Sequence, residues 1–233
     1  MKKWLALAAT AVLGASLLIS GCGSSTTNES SSNAGSSKAE VLKVAANPVP
    51  HAEILNQIKP LLAKEGVDLQ IIEFTDYIQP NMALSSHEVD ANFFANVPYQ
   101  NNYNKDHGTN FVSFAPVHIE PLAIYSQKIK DLKDLPNGAK VAIPSDPTNS
   151  ARALLLLQSA GLVTLKDPTG LTNTPFDVTS NPKNIQIVEL EAAQIPRSIQ
   201  DLDAAVINAN YALPAGLNPT KDGLFVEKAD SPY

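Results

Sequence analysis

The 233-residue chain contains a single cysteine, Cys22, which excludes an intramolecular disulfide. Only two arginines, Arg152 and Arg197, stand beside fifteen lysines, and 23 acidic residues outweigh the 17 basic ones. No basic stripe remains, so a nucleic-acid partner or an anionic membrane face finds no electrostatic footprint. There is no Gly-rich phosphate loop, no G-x-S-x-G elbow and no H-E-x-x-H helix. The four histidines, His51, His87, His107 and His118, are scattered with no pair at metal-ligand spacing, although sequence distance leaves assembly in space open. Acidic residues are too dispersed to nominate an acid/base pair. The chain therefore reads as a non-enzyme with no cofactor and no sequence-level metal site.

What is present begins with the surroundings of Cys22. Lys2 and Lys3 form a positive start, residues 4–19 are almost wholly apolar, and Leu18-Ile19-Ser20-Gly21 leads directly into the cysteine. The apolar run is about the minimum length of a membrane span, but its grading into small residues fits a secretory signal better. A lone thiol straight after such a signal suits acylation, and the pattern resembles the lipobox of bacterial lipoproteins. The expected organisation is a signal peptide over 1–21, then a lipidated Cys22 and linker over 22–39. Residues 23–38 are rich in Ser, Thr, Asn and Gly, too polar to offset the entropy of ordering. Such a 16-residue tether has a root-mean-square span of roughly 20–24 Å. Loss of Lys2 and Lys3 with the signal moves the formal charge from −6 to −8.

The body alternates between strand and helix patterns. Strands are expected at 41–46, 67–74, 89–94, 111–117, 122–125, 139–143, 185–190 and 204–207. A helix is expected over 52–64, where Ile54, Leu55, Ile58, Leu61 and Leu62 repeat at helical spacing and Gly66 closes the turn. A second helix includes 80–84, and a strong third covers 148–160, closed by Gly161. Repeated βα units with parallel crossovers imply an α/β fold in two lobes.

Arg152 sits near the start of the strongest helix, in Asp146-Pro147-Thr148-Asn149-Ser150-Ala151-Arg152. Thr148 or Asn149 can cap that helix, and a guanidinium beside its positive end suits a carboxylate. A surface arginine paired with Asp146 fits the same spacing equally well. Aromatic and amide residues gather in Thr75-Asp76-Tyr77 and in Asn92-Phe93-Phe94-Ala95-Asn96-Val97-Pro98-Tyr99, at strand ends where open α/β sheets bind ligands. Alternation forbids Phe93 and Phe94 from facing one pocket together. Asn208 and Asn210, at the end of another buried strand, suit either ligand binding or the capping of a helix starting near Tyr211.

These segments together resemble the methionine-binding lipoproteins of the NlpA type. The resemblance is carried by Pro48-Val49-Pro50-His51-Ala52-Glu53-Ile54-Leu55, Glu73-Phe74-Thr75-Asp76-Tyr77, Asp90-Ala91-Asn92-Phe93-Phe94 and Ile143-Pro144-Ser145-Asp146-Pro147-Thr148-Asn149. It continues in order through Arg152-Ala153-Leu154-Leu155-Leu156-Leu157-Gln158, Asn181-Pro182-Lys183-Asn184, Ala205-Val206-Ile207-Asn208 and Asp230-Ser231-Pro232-Tyr233. It implies a two-lobed periplasmic-binding-protein-like fold (type II) delivering methionine to the permease subunits of an ABC importer. By resemblance, Arg152 clamps the ligand carboxylate and Asn149 and Asn208 complete the polar end. Tyr77, Phe94, Tyr99 and His118 line the thioether end, with Asn92 and Asn96 also in the ligand-binding set. Asn96 stands where family members often carry histidine. The family also implies a further strand, terminal helices and one more ligand-contacting asparagine beyond Tyr233, so the chain reads as truncated at its C-terminus.

Lobe 1 is expected to comprise 40–122 plus 212–233, and lobe 2 residues 123–211. The expected function is a lipid-anchored protein on the extracytoplasmic face of a cell membrane that captures methionine. Another small amino acid, a methionyl dipeptide, or a metal bound by converging histidines or carboxylates are the alternatives. Intact-mass measurement of the membrane-extracted protein should find a diacylated or triacylated N-terminus at Cys22. A mature form without lipid that begins elsewhere contradicts this.

Overall fold

The structure is a computed structural model that describes residues 39–233. The signal, Cys22 and nearly all of the linker lie outside the described residues. Strand β1 (Glu40–Ala46), helix α1 (Glu53–Lys64), strand β2 (Val67–Glu73), helix α2 (Gln79–Ser85) and strand β3 (Ala91–Phe93) form the first unit of the fold. The sheet is fully parallel in the order β2-β1-β3, with Val44 between Ile71 and Ala91. Central β1 is buried on both faces, which is why Val44, Ala45 and Ala46 run without alternation. Leu55 of α1 packs with Val44, Ala46 and Leu69 on one face, while Ala83 and Val89 cover Ala45 on the other. Gly66, at φ +83°, supplies the left-handed turn that stops α1.

Helix α3 (Val97–His107) has little apolar periodicity and escapes a search for hydrophobic stripes. Its signals are local. The side-chain oxygen of Asn96 accepts from the Tyr99 N–H at 2.9 Å, Pro98 occupies the first turn, and Gly108 at φ +66° ends it. The strand expected at 111–117 does not form. Asn104 acts as a substitute strand partner, accepting from the Phe111 N–H at 3.0 Å and donating to its carbonyl at 2.8 Å. Val112 and Phe114 consequently stand 82% and 87% exposed.

The second sheet begins with β4 (Leu122–Tyr125) and β5 (Lys140–Pro144), followed by α4 (Pro147–Ser159). A small hairpin of β6 (Thr164–Leu165) and β7 (Val178–Ser180) leads to β8 (Gln186–Leu190), the short α5 (Ile195–Ser198) and β9 (Ala204–Asn208). Helices α6 (Ala209–Ala212) and α7 (Pro219–Asp222) then precede β10 (Phe225–Val226). The strand order is β10-β4-β9-β5-β8, with β5 parallel to both β8 and β9 and with β4 antiparallel to its neighbours. One face is closed by Leu154 and Leu157 of α4 against Leu122, Ile124, Val141, Ile143 and Val206. The other is closed by Ile195 and Ile199 against Tyr125, Ala142 and Ile207.

One boundary differs from the expectation. Residues 212–233 were assigned with the first lobe, but β10 pairs with β4 and extends the second sheet. Phe225 packs against that sheet's core, and this apolar contact together with the ladder fixes the segment there. Leu122, the expected last residue of lobe 1, likewise opens β4, in register with Asn208.

Each sheet contains a place where strand order reverses. In the first it lies between β1 and β3, beyond which come Asn47, His51, Phe93 and Phe94. In the second it lies between β5 and β9, whose ends carry Asp146 and Asn208. Open α/β sheets gather ligands outside such points because the departing chains diverge there and leave a crevice.

Leu154→Ala should cost about 2–5 kcal/mol in chemical denaturation, because the side chain is fully enclosed. Phe114→Ser, in the exposed strip, should stay within about 0.5 kcal/mol of the parent.

Candidate functional site

Helix α4 begins one residue earlier than expected, and its cap is Asp146 rather than Thr148 or Asn149. The Asp146 carboxylate accepts from the Asn149 N–H at 2.9 Å, and Pro147 fills the first helical position, where no N–H is needed. Burial raises the Asp146 pKa, while hydrogen bonds from Asn149 work against that rise. The Asn149 side chain donates to both carboxylate oxygens, at 3.0 and 2.9 Å. This leaves its own oxygen to accept from Asn208 Nδ2 at 2.8 Å. Asn208 precedes α6 but makes no capping bond with its side chain. The strand-end asparagine is therefore tied to α4 through Asn149 rather than capping α6.

Arg152, one turn further along α4, is buried to 6% exposure. Its Nε donates to Glu227 Oε1 at 2.9 Å, and its Nη2 donates to Glu227 Oε2 at 2.5 Å and to the Glu120 carbonyl at 2.7 Å. Among the described residues Nη1 has no hydrogen-bond partner. The Tyr233 ring lies 5.4 Å from the guanidinium carbon. Glu227 is held in turn by the Leu122 N–H at 3.0 Å and the Ser231 hydroxyl at 2.6 Å. Burial acts to raise the Glu227 pKa, but Arg152 and these donors bring it below the usual glutamate value. The arginine is thus pinned along one edge by an internal carboxylate and presents its remaining nitrogen.

The aromatic group comprises Tyr77, Phe94, Tyr99 and Tyr211. Tyr77 lies 5.9 Å from Phe94, 5.9 Å from Tyr99 and 5.0 Å from Tyr211, centroid to centroid. The Tyr99 hydroxyl donates to the Tyr77 carbonyl at 2.8 Å, and the Tyr77 hydroxyl donates to Asn210 Oδ1 at 2.5 Å. Burial pushes the Tyr77 phenol well above its ordinary value, with Tyr211, Glu120 and Asp146 adding to the rise and Arg152 opposing it. The same desolvation raises Tyr99 and Tyr211, and it pushes Tyr233 up to about 12. These phenols remain neutral at any physiological pH.

Four polar atoms of this neighbourhood are buried without a partner: Asn208 Oδ1, Asn210 Nδ2, and the hydroxyls of Tyr211 and Tyr233. Buried polar groups are normally satisfied, so such a cluster marks a place where something else supplies the bonds. It contains an acceptor for an ammonium group and donors for a carboxylate, beside polarizable rings. An open recess of about 570 Å³ around Lys166, Asp167, Asn173 and Asp177 shares no residue with it.

The structure brings together Tyr77, Phe94, Tyr99, Asn149, Arg152 and Asn208 of the expected set. Asn92 is placed differently, donating to Asn81 Oδ1 at 2.7 Å and tying α2 to β3. Asn96 spends its oxygen on the α3 cap. His118 sits with His51, Phe93 and Glu120 rather than with the tyrosine rings. Phe93 and Phe94 do diverge as alternation requires, one to the histidines and one to the tyrosines. Asn210 was marked with Asn208 by its place at the strand end, whereas Tyr211 and Glu227 were not expected as site residues. Tyr211 lies three residues beyond Asn208 at the same strand end, whereas nothing local marks Glu227, 75 residues from Arg152.

Two α/β units with unpaired polar groups gathered at the strand ends define a substrate-binding protein of the periplasmic class. An ABC-transporter substrate-binding protein from Coxiella burnetii superposes with a TM-score of 0.79 at 45% identity, over 82% of this chain and 81% of that one. A nutrient-binding protein from Burkholderia cenocepacia, solved with methionine bound, gives 0.80 at 48% identity, over 82% and 81%. The chain belongs to the NlpA lipoprotein family, matching it over residues 42–233. The D-methionine-binding lipoprotein MetQ of Salmonella typhimurium is 44% identical over 233 residues, 99% of this chain and 83% of that protein.

Glu227→Gln tests the arginine's support. A lowered folded pKa means the carboxylate contributes stability above its ordinary value of 4.5, lost as pH falls through the lower folded value. The variant should lose about 1.5–3 kcal/mol at pH 7 in urea denaturation and show a shallower decline than the parent below pH 4.5.

Proposed function

We propose that this chain is a lipid-anchored substrate-binding protein that captures free methionine and delivers it to the permease of an ABC importer. The observation that carries the reading is the pairing of a pinned, buried Arg152, with Nη1 free of protein partners, and an unsatisfied Asn208 Oδ1 beside the tyrosine rings. A carboxylate takes charge-assisted hydrogen bonds from the guanidinium and from Asn210 Nδ2. An α-ammonium donates to Asn208 Oδ1, which Asn149 and Asp146 hold in place. A flexible thioether fills the space among Tyr77, Phe94, Tyr99 and Tyr211, where sulfur–aromatic contacts contribute about 0.3–1.5 kcal/mol. The ammonium and carboxylate thereby satisfy Asn208 Oδ1 and Asn210 Nδ2, which are otherwise buried unpaired among the described residues.

Cys22 supplies the anchor and residues 23–38 the reach, placing the body near its importer on the extracytoplasmic face. No helix among the described residues is long and apolar enough to cross a membrane. Closure of the two units on ligand would create the surface that the permease reads.

Calorimetry with L-methionine, D-methionine and methionyl dipeptides tests the reading. One free methionine enantiomer should bind stoichiometrically, and Arg152→Lys, which keeps the charge but loses the fork, should weaken it by about 1.5–3 kcal/mol. Absence of heat with either enantiomer contradicts methionine as the ligand. Binding of the dipeptide alone would reassign the pocket to a longer substrate.

A further inference from the structure

His51 follows β1, whereas His118 and Glu120 lie on the irregular segment just before β4, some seventy residues away along the chain. The fold brings them together. Glu120 Oε1 lies 3.1 Å from His51 Nε2 and 2.9 Å from His118 Nε2, and the three potential ligand atoms are all within 4.8 Å of one another. We propose that His51, His118 and Glu120 form a binding site for a divalent transition-metal cation of the zinc class.

Two of the three ligand-atom separations are close to those of a loaded site, while the His51–His118 separation, within 4.8 Å, shortens as the rings close on the ion. Zinc–nitrogen bonds of about 2.0–2.1 Å and zinc–oxygen bonds of about 2.0–2.2 Å at tetrahedral angles place ligand atoms about 3.3 Å apart. The two nitrogen–oxygen separations need to widen by only a few tenths of an ångström. Two imidazoles and one carboxylate are borderline donors that suit zinc over magnesium or calcium, which prefer all-oxygen shells. His51 is 4% exposed, so its ring is held in a fixed orientation by the packing around it. Glu120 adds one negative charge, which offsets part of the cation's.

The surroundings fit as well. The Phe93 ring stands edge-on to both imidazoles, at 4.8 and 5.4 Å, walling the cluster from one side. On the other, the side chains of His118 and Glu120 retain 23% and 19% exposure, leaving an entry path and room for a water as fourth ligand. The carbonyl of Glu120 is the group that accepts from Arg152 Nη2. A cation at this cluster would therefore stiffen the segment that positions the guanidinium. The proposal rests on the geometry of this cluster and not on the methionine reading.

The test uses full-length, tag-free protein freed of metal with a chelator. Cobalt(II) should bind at one equivalent with visible ligand-field absorption of a tetrahedral N/O site, and zinc(II) should displace it. His118→Ala and Glu120→Gln should each lower zinc affinity by at least about 100-fold, beyond the loss from disturbing an outer-shell partner. Melting temperatures of both variants in chelator should match the parent's, which separates ligand loss from misfolding. A parent that takes up neither ion at micromolar concentration overturns the proposal, leaving a triad in which Glu120 merely accepts from two imidazole N–H groups. Uptake unchanged in both variants also overturns it, by placing the metal elsewhere.

Discussion

The buried Arg152 guanidinium is the constraint around which the rest of the molecule is arranged. A charge at 6% exposure is sustainable only if it is paired and hydrogen-bonded, and three separate stretches of chain converge to do this. Helix α4 carries the arginine, the segment before β4 contributes the Glu120 carbonyl, and the strand after α7 leads to Glu227. Glu227 is itself tied to the first residue of β4. The antiparallel β10–β4 ladder thus has a chemical role beyond sheet extension, since it delivers the carboxylate that orients the Arg152 guanidinium. Removing either partner strands the other charge in a low-dielectric environment, an effect far larger than a surface salt bridge contributes.

Preorganisation follows from that arrangement. Because Nε and Nη2 are already committed, Nη1 is held in place, and in the proposed reading a ligand need not bear the entropy of ordering it. The amide relay from Asp146 through Asn149 to Asn208 does the same for the acceptor side. Both devices sit at the switch point between β5 and β9. The aromatic group sits by the other switch point, beyond β3. A small amphiphile with a charged head and a soft tail is the natural complement of such a division.

Much of this was legible in the sequence, and the limits are physical. The strands and helices with strong periodicity, β1, α1, β2, β5, α4, β8 and β9, lie within a residue or two of expectation, because apolar stripes report burial directly. Helix α3 was missed because its stability comes from Asn96, Pro98 and Gly108 rather than from a stripe. The strand expected at 111–117 was misread for the converse reason: apolar and aromatic residues are present, but no neighbouring strand is among the described residues, and Asn104 takes the backbone groups of Phe111. At the site, Arg152 and Asn208 stood out through their position at element ends. The partnerships of Arg152 with Glu227, and of His51 with His118 and Glu120, join residues far apart in the chain, and no local pattern announces them.

The most direct test is a crystal structure of the protein grown with L-methionine or D-methionine. The account predicts the ligand carboxylate within hydrogen-bond distance of Arg152 Nη1, its ammonium on Asn208 Oδ1, its sulfur among Tyr77, Phe94, Tyr99 and Tyr211, and Glu227 still on the Nε edge. A methionine that displaces Glu227 from the guanidinium, or that binds with its carboxylate away from Arg152, would contradict it.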